Sequence, residues 1–296
     1  MQTEIVGIGE VLFDVFEAVA LLAGAPLNAM AHVARMGHAV SFLSGVGEDA
    51  AGQKAMQGIE QLGLPTEYIG RLNTPTGRVE VTLHHGEPSY NIHRGVAYEE
   101  ITLPPSLLST LVHDKPAWMY YGTLAQSFPV TRSTTEQLFA SLHGTRRFYD
   151  LNLRNGFDSP EVVVALLEQA HFAKLNQAEL HRILHMSGIA FTSEQEACRV
   201  LANRFQLEAI CVTRGAQGAA LLFEHEFFEE DAPTVQVADT VGAGDAFSAA
   251  LLHGLLLGWP APKMLRFGNQ LGSFVASCRG AIPEITTDQY RQMAES

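Results

Sequence analysis

The sequence is poor in cysteine and in positive charge, and each shortage excludes a class of protein. Its three cysteines, Cys198, Cys211 and Cys278, are far apart. They therefore form neither a disulfide framework nor a metal-binding cluster, and they indicate a reducing compartment. Lys and Arg number 19 against 32 Asp and Glu, which gives a net charge of −13. Because nucleic acids and anionic membranes require a basic surface, neither is expected as a partner.

Long apolar runs and the common nucleotide-binding motifs are also absent. No stretch is long enough to span a bilayer, and MQTEIVGIGEVLF lacks the basic segment of a targeting signal, which predicts a cytoplasmic protein. Neither G-x-x-x-x-G-K-[ST] nor G-x-S-x-G occurs. Gly7-Ile8-Gly9 is followed by Leu12 where a dinucleotide fingerprint needs glycine. These absences disfavour P-loop enzymes, α/β-hydrolases and Rossmann-type oxidoreductases.

The sequence does contain a regular alternation of strand-like and helix-like segments along its 296 residues. This alternation predicts a mostly parallel sheet with helices on both faces, in a single α/β domain of residues 1–296. We interpret Ile5–Phe16 as one buried strand broken by glycines. In Thr76–Val96, apolar and polar residues alternate on either side of Gly86-Glu87-Pro88, which predicts a half-exposed β-hairpin acting as a flap.

One stretch, Val237–Gly258, has the pattern of an anion site. Val235–Val237 reads as the end of a strand, Gly242-Ala243-Gly244 as a turn, and a helix follows from about Asp245 to Leu257. Free backbone N–H groups and the macrodipole at a helix N-terminus both favour a bound anion. A carboxylate beside that anion could deprotonate a hydroxyl that attacks a phosphoryl group. The pattern alone leaves open that Asp245 is only a helix cap.

Other polar residues lie where the predicted parallel strands end. Ligands of such sheets bind at the carboxyl ends of the strands. The residues at these ends are Asn152, Arg154, Asn176, Glu179 and Asp245. From position alone, Asp14 either faces solvent or points into the cleft, and Asn28 either caps its helix or binds a polyol.

Seven segments together resemble the PfkB/ribokinase family of carbohydrate kinases. ADTVGAGDAF is similar to the C-terminal signature of that family. The other matches, in chain order, are GIGEVLFDVF, AGAPLNAMAHVARMG, GVGEDAAGQ, FYDLNLR, KLNQAEL and VTRGAQGAAL. The resemblance implies a ribokinase-like three-layer α/β/α sandwich with a mostly parallel central sheet and a small β lid of about residues 11–22 and 72–97. FYDLNLR and KLNQAEL look closest to the fructokinase branch.

The resemblance also implies a reaction, in which the γ-phosphate of ATP moves to a primary hydroxyl of a small sugar, most closely fructose. Asp245 would be the base, and the backbone N–H groups of Gly242, Ala243 and Gly244 would hold the transferring phosphoryl. Asn176 and Glu179 would organise Mg²⁺ through water, although the same pair could be a helix cap with a first-turn acid. Asp239 would shape a site for K⁺.

The remaining expected contacts follow from the same resemblance. Residues implied at the nucleotide are Lys174, Asn176, Thr213, Arg214, Gly215, Gly218 and Asn269. Residues implied at the sugar are Asp14, Gly24, Asn28 and Arg154. The free edge of the flap strands predicts a homodimer that pairs through the lid.

Two features leave the substrate open. Because a guanidinium binds carboxylates bidentately, Arg154 is also compatible with a 2-keto-3-deoxygluconate kinase, and ribokinase is a further alternative. The chain departs from the family in having Ala23 in place of a glycine and only nine residues between Asp14 and Gly24. This shortening predicts fewer sugar contacts with intact ATP chemistry, or else a non-catalytic sugar or nucleotide sensor. The carboxylate of Asp245 argues against a sensor, because a pure binder has no use for a negative charge facing a phosphate.

Overall fold

The chain is organised around a large sheet, in which parallel strands form the centre and an antiparallel hairpin forms one edge. The computed structural model describes residues 2–16, 19–84 and 87–295. In these residues the large sheet has the order β13-β12-β11-β10-β9-β8-β1-β4-β5, and a second sheet has the order β3-β2-β6-β7. The strands are β1 Ile5–Ile8, β2 Leu12–Phe16, β3 Val19–Ala23, β4 Val40–Gly47, β5 Ile69–Leu72, β6 Gly77–His84, β7 Glu87–Ile92, β8 Trp118–Gly122, β9 Arg146–Asp150, β10 Phe172–Asn176, β11 Ala209–Thr213, β12 Ala219–Phe223 and β13 Glu226–Glu230.

Helices connect most of the parallel strands, and several begin at residues that suit a helix N-terminus. Asp49, Ser159 and Ser193 each accept a hydrogen bond from a backbone N–H of the first turn. The helices are α1 Ala25–Arg35, α2 Ala50–Gln61, α3 Pro105–Asp114, α4 Pro129–Ser141, α5 Pro160–Leu167, α6 Gln177–Met186, α7 Glu194–Phe205, α8 Ala243–Leu256, α9 Ala261–Ala276 and α10 Thr287–Glu295. Among the described residues, none of these helices is both long and apolar enough to cross a membrane.

The predicted three-layer sandwich is confirmed by the packing on the two faces of the large sheet. Every residue of β1 and β4 is buried, as expected for parallel strands covered on both sides. Successive residues of β1 point to opposite faces, so Val6 and Ile8 pack in one apolar layer while Ile5 packs in the other. The alternation of strands and helices in the sequence therefore predicts the architecture correctly.

The smaller sheet is built from two segments that are separate in sequence. β2 pairs antiparallel with β3 and parallel with β6, and β6 pairs antiparallel with β7. The prediction of one strand over Ile5–Phe16 is wrong, since β1 belongs to the large sheet and β2 to the smaller one. Gly9, between the two, lies against Pro26, where a Cβ would come within 2.3 Å of Cγ. Residues 17–18, in the predicted lid segment 11–22, and residues 85–86, at the predicted Gly86 turn, lie outside the described residues.

The segment before α8 also differs from the prediction. Val235–Val237 form no strand, because β13 ends at Glu230 and the chain then runs as a loop to Gly242. The backbone N–H groups of Ala238 and Asp239 both donate to the carbonyl of Ala276 instead of to a strand. The helix begins at Ala243, so Asp245 lies at its third position and not at its start.

The strand register brings several polar residues to one edge of the large sheet. β1, β8, β9, β10 and β11 are parallel, so their carboxyl ends meet at the same side. Asp150 at the end of β9 pairs with Lys174 of β10, and Asn176 pairs with Thr213 of β11. All four strands of the smaller sheet contribute residues to the cavity at this edge.

Candidate active site

A cavity of about 420 Å³ lies where the carboxyl ends of the parallel strands, the first turn of α8 and the smaller sheet meet. Both sheets and the start of α1 contribute to its wall. Predicted site residues that line it are Asp14, Gly24, Asn28, Arg154, Lys174, Asn176, Glu179, Thr213, Gly242, Gly244 and Asp245. The cavity therefore brings together side chains that are distant in sequence. The residues predicted to bind the sugar and those predicted to bind the phosphates of ATP line the same cavity.

The glycine turn at the start of α8 is held tightly against the C-terminal part of the chain. Gly242 is the N-cap residue and has φ 79°, a conformation that glycine adopts readily. A Cβ at this position would lie 2.5 Å from the Cα of Ala281. A Cβ on Gly244 would lie 3.3 Å from Lys174 Nζ, so the ammonium lies next to the second residue of the helix. The N–H of Ala243 donates to the carbonyl of Thr240 at 3.3 Å, within the loop that leads into the helix. The turn thus places a helix N-terminus and a nearby cation at the cavity.

In the part of the chain that the structure describes, one side-chain hydrogen bond holds Asp245. Asn28 Nδ2 donates to Asp245 Oδ2 at 2.8 Å, which orients the carboxylate and shows that Asn28 contacts the acid instead of capping α1. Burial and the charge of Asp150 raise the pKa of Asp245 to about 6, while Asn28, Lys174 and Arg154 oppose the rise. The carboxylate is therefore ionised near neutral pH with an increased affinity for a proton, which suits a general base.

A buried ion pair lies beneath the glycine turn. Lys174 Nζ is 3.1 Å from Asp150 Oδ1, and the residues are 7% and 2% exposed. Asp150 Oδ2 also accepts from Ser248 Oγ at 2.6 Å and Tyr120 Oη at 2.9 Å. Burial alone would lower the pKa of Lys174, but the neighbouring carboxylates, with Asp150 first, outweigh it and raise that pKa. Lys174 is therefore a permanent cation at the cavity wall.

Asn176 and Glu179 form a reciprocal cap at the start of α6. Asn176 Oδ1 accepts from Glu179 N at 2.9 Å, and Glu179 Oε2 accepts from Asn176 N at 2.9 Å. Glu179 Oε1 also accepts from Leu153 N at 2.7 Å. The cap predicted as an alternative is present, and both side chains nevertheless line the cavity. Each carboxylate oxygen retains a lone pair, which fits a contact with a hydrated cation better than direct coordination.

The sugar-side candidates cluster around the start of α1. Gly24 has φ 137°, and a Cβ there would lie 2.2 Å from the carbonyl oxygen of Glu10. Burial raises the pKa of Asp14 to about 6, with a smaller opposing effect from Arg154 and a reinforcing one from Asp239. Within the described part of the chain, no carboxylate lies within ion-pair distance of Arg154. Its guanidinium is therefore available to a ligand.

Several nucleotide-side candidates lie beside the cavity and hold the β12–β13 hairpin. Arg214 pairs with Glu194 at 2.5 Å and with Glu229 at 2.6 Å. A Cβ on Gly218 would lie 2.0 Å from the carbonyl oxygen of Glu230, and Asn269 Nδ2 donates to that same oxygen at 2.9 Å. Gly215 lies in the 3₁₀ turn between β11 and β12. Of the predicted nucleotide residues, Lys174, Asn176 and Thr213 line the cavity, whereas Arg214, Gly215, Gly218 and Asn269 are not among its lining residues.

Asp239 has a defined place in the loop before α8. Its Oδ1 accepts from Val241 N at 3.0 Å, and its Oδ2 accepts from Gly280 N at 3.3 Å. The carboxylate therefore ties the loop that precedes the glycine turn to the segment that follows α9. No group of three or more His, Cys, Asp or Glu side chains able to hold a metal ion is found in the described ranges.

Four side chains of the site have no role predicted from the sequence. Asp150, Ser248 and Tyr120 form the network around Lys174, and Glu10 lines the cavity beside Gly24. Glu10 and Asp150 could have been recognised from the sequence, because each is an acid within or directly after an apolar strand. Ser248 and Tyr120 could not have been recognised, because the residue that they contact, Asp150, belongs to a different element, β9.

Comparisons with known proteins identify the family of the chain. The pfkB family of carbohydrate kinases matches residues 3–288. The fructokinase of Salmonella typhimurium is 29% identical over 280 residues, which cover 88% of this chain and 87% of that protein. The 2-dehydro-3-deoxygalactonokinase of Haloferax volcanii is 24% identical over 279 residues, or 92% and 86% of the two chains.

Among solved structures, the fructokinase with bound ATP from Xylella fastidiosa superposes with a TM-score of 0.83 at 21% identity, covering 99% of this chain and 98% of its own. At that identity the superposition supports the fold. The family match extends over nearly the whole chain and includes the glycine turn, the acid beside it and the strand ends that form the cavity. The chain therefore belongs to the pfkB family of carbohydrate kinases and is an ATP-dependent phosphotransferase acting on a sugar hydroxyl.

Proposed function

We propose that this kinase phosphorylates a primary hydroxyl of fructose, with Asp245 as the general base. The observation that carries the proposal is the position of the Asp245 carboxylate, which is oriented by Asn28 in the first turn of α8 and faces a cavity shared with the sugar-side residues. A carboxylate there meets both the attacking hydroxyl and the phosphoryl group held at the helix N-terminus.

The proposed step forms a bond between the sugar oxygen and the γ-phosphorus, while the bond from that phosphorus to the β-phosphate oxygen of ATP breaks. The hydroxyl proton passes to Asp245, and ADP leaves. Backbone N–H groups of Gly242, Ala243 and Gly244 stabilise charge on the transferring group. The Lys174 ammonium, which lies next to Gly244, adds a fixed positive charge at the same position.

Two ions complete the proposal. When bound, Mg²⁺ neutralises charge on the phosphates, and Asn176 and Glu179 would hold it through water because their direct contacts are to backbone groups. A K⁺ site would lie near Asp239, whose carboxylate already organises the loop under the glycine turn. The cysteines are unpaired, which supports a reducing, ATP-containing cytoplasm as the location.

Charge and chemistry favour a neutral sugar over a sugar acid. The carboxylates of Glu10, Asp14 and Asp245 line the same cavity. They can accept hydrogen bonds from several hydroxyl groups, and they would repel a substrate carboxylate. The Salmonella relative is named a fructokinase, which supports the same choice. The second candidate is a 2-keto-3-deoxy sugar acid. It is favoured by the guanidinium of Arg154, which forms no ion pair with any described residue, and by the name of the Haloferax relative.

ADP release with MgATP tests the substrate assignment. The panel would contain fructose, ribose, 2-keto-3-deoxygluconate, tagatose 6-phosphate, fructose 1-phosphate and a nucleoside. We expect the highest kcat/KM with fructose. A higher kcat/KM with 2-keto-3-deoxygluconate would contradict the fructose assignment and support the sugar acid as the substrate. ATP binding without turnover on any sugar would contradict the kinase proposal and favour the sensor alternative.

The acid limb of the pH profile should report Asp245. The base must be ionised to accept a proton, and burial raises its pKa from the ordinary 3.8 to about 6. At saturating ATP and sugar, turnover should therefore be constant above that pH and fall about tenfold per unit below it. The measurement is kcat against pH. An acid limb near the ordinary aspartate pKa would contradict the proposed environment of the base.

We further propose that two chains associate through their lids. β3 is an outer strand of the smaller sheet, and Val19 and Leu21 on it are 55% and 47% exposed. An exposed strand edge with apolar side chains is usually covered by a partner. Sedimentation velocity at micromolar concentration should give a dimer. A monomer under those conditions would contradict this proposal and leave the kinase assignment unaffected.

A further inference from the structure

Glu10 is a buried acid at the cavity that no step of the proposed reaction uses. It lies between β1 and β2 and is 5% exposed. It lines the main cavity and also a water-sized pocket behind it, which is bounded by Tyr120, Asp150 and Arg154. Within the described residues its Oε2 has no hydrogen-bond partner. An acid so deeply buried with an unsatisfied oxygen requires an explanation.

The main chain around Glu10 is fixed against the start of α1. A Cβ on Gly24 would lie 2.2 Å from the Glu10 carbonyl oxygen, so the two backbones are in direct contact. The N–H groups of Glu10 itself and of Ala25 lower the pKa of the carboxyl group, although burial outweighs them. The side chain is therefore held in place next to the two residues that open α1, and Oε2 is the oxygen left for another donor.

Charged and titratable groups surround this carboxylate on several sides. Arg154 follows β9 and Asp245 lies on α8, while Tyr98 and Tyr120 approach from the 3₁₀ turn at Ala97–Glu100 and from β8. Burial is the main cause that raises the pKa of Glu10 to about 7, with Arg154 opposing and Asp245 reinforcing the rise. Arg154 does not form an ion pair with Glu10, so the charge of the acid is only partly compensated.

We propose that Glu10 Oε2 accepts a hydrogen bond from a hydroxyl of the sugar and is a specificity-determining residue of this kinase. An unsatisfied buried oxygen destabilises the free protein, and a hydroxyl donor from the substrate removes that penalty on binding. A substrate lacking that hydroxyl leaves the oxygen unpaired, so the site discriminates strongly against it. The assignment rests on the proposed sugar-kinase function and holds for whichever neutral sugar the enzyme prefers.

The test is Glu10→Gln, which keeps the shape and removes the charge. We expect the KM for the preferred sugar to rise roughly 10- to 100-fold, the range for loss of a hydrogen bond to a charged group. The KM for ATP should be unchanged. Glu10→Asp is a second variant that retains the buried charge but withdraws the carboxylate by one methylene, and the same rise is expected. Asp158→Asn is the control, because Asp158 is 4% exposed, pairs with Arg182 and is not among the cavity residues.

Deoxy analogues of the preferred sugar show whether Glu10 contacts the sugar or only supports the structure of the site. For one analogue, removal of a hydroxyl should raise KM in the wild type but have little effect in Glu10→Gln, since the two changes remove the same contact. Unchanged sugar KM in both variants, or equal losses for every analogue in wild type and variant, would overturn the proposal. The fructose assignment is tested separately by the sugar panel. If that assignment is wrong, the wild-type enzyme will prefer a different sugar of the panel.

Discussion

Replacement of Asp245 by asparagine should lower kcat by about 10²- to 10⁴-fold, the usual contribution of a general base. The variant keeps the size of the side chain and an oxygen that can accept from Asn28 Nδ2, now 2.8 Å from the carboxylate. It removes the group that takes the proton from the attacking hydroxyl. ATP binding should be nearly intact or slightly tighter, because a negative charge facing the phosphates is lost.

The measurements are steady-state ADP release and direct ATP binding, for example by calorimetry. Asp288→Asn is a matched control, since it makes the same chemical change at an exposed ion pair on α10. The control should have wild-type kinetics. Loss of nucleotide binding in Asp245→Asn would contradict the assignment of Asp245 as a base, and wild-type turnover would exclude a catalytic role altogether.

Gly242→Ala should be nearly as damaging, for a steric reason. The new Cβ would lie 2.5 Å from both Cα and Cβ of Ala281 and 2.7 Å from its carbonyl oxygen, and backbone atoms cannot yield as a flexible side chain can. The residue must also hold φ 79°, which costs a non-glycine residue about 1–2 kcal/mol. The turn must therefore move and carry its N–H groups away from the phosphoryl position.

Misplaced donors at such a site lower kcat by roughly 10²- to 10³-fold. Gly258→Ala is the matched control, because Gly258 follows the same helix and has φ 63°. Apart from its two neighbours in the chain, no described residue has an atom within 4 Å of the added Cβ. It should lose about 1 kcal/mol of stability and keep its kcat. Thermal unfolding and steady-state kinetics of both variants distinguish the effect of the contact with Ala281 from the cost of a positive φ, which both positions share. Equal kinetics in the two variants would show that the contact with Ala281 does not hold the turn.

The buried core segments were predictable from sequence because their pattern is local. Apolar runs such as those of β1 and β4 indicate parallel strands covered on both faces, and the alternation with helices indicates the sandwich. The division of Ile5–Phe16 between two sheets was not predictable. Strand periodicity is the same in either sheet, and the partners of β1 and β2 come from distant parts of the chain.

The error at Val235–Val237 has a similar cause. Apolar and polar residues alternate there as in a strand, but no strand of the described residues pairs with them, and Val237 is 59% exposed. A strand requires a partner for its backbone hydrogen bonds. Directly after this stretch, the N–H groups of Ala238 and Asp239 both donate to the carbonyl of Ala276, which belongs to a helix and not to a strand. Alternation indicates a strand only where such a partner exists.

The sequence by itself determined the chemistry of this protein, because the glycine turn and the acid after it are local in the chain and have their properties wherever a helix starts. The tertiary structure alone decided how that chemistry is tuned. Asn28 meets Asp245, and Asp150 meets both Lys174 and Ser248, across separations that no local pattern encodes. Burial then raises the pKa of Asp245, since desolvation depends on everything packed around a group. The same packing leaves Glu10 Oε2 without a hydrogen-bond partner among the described residues.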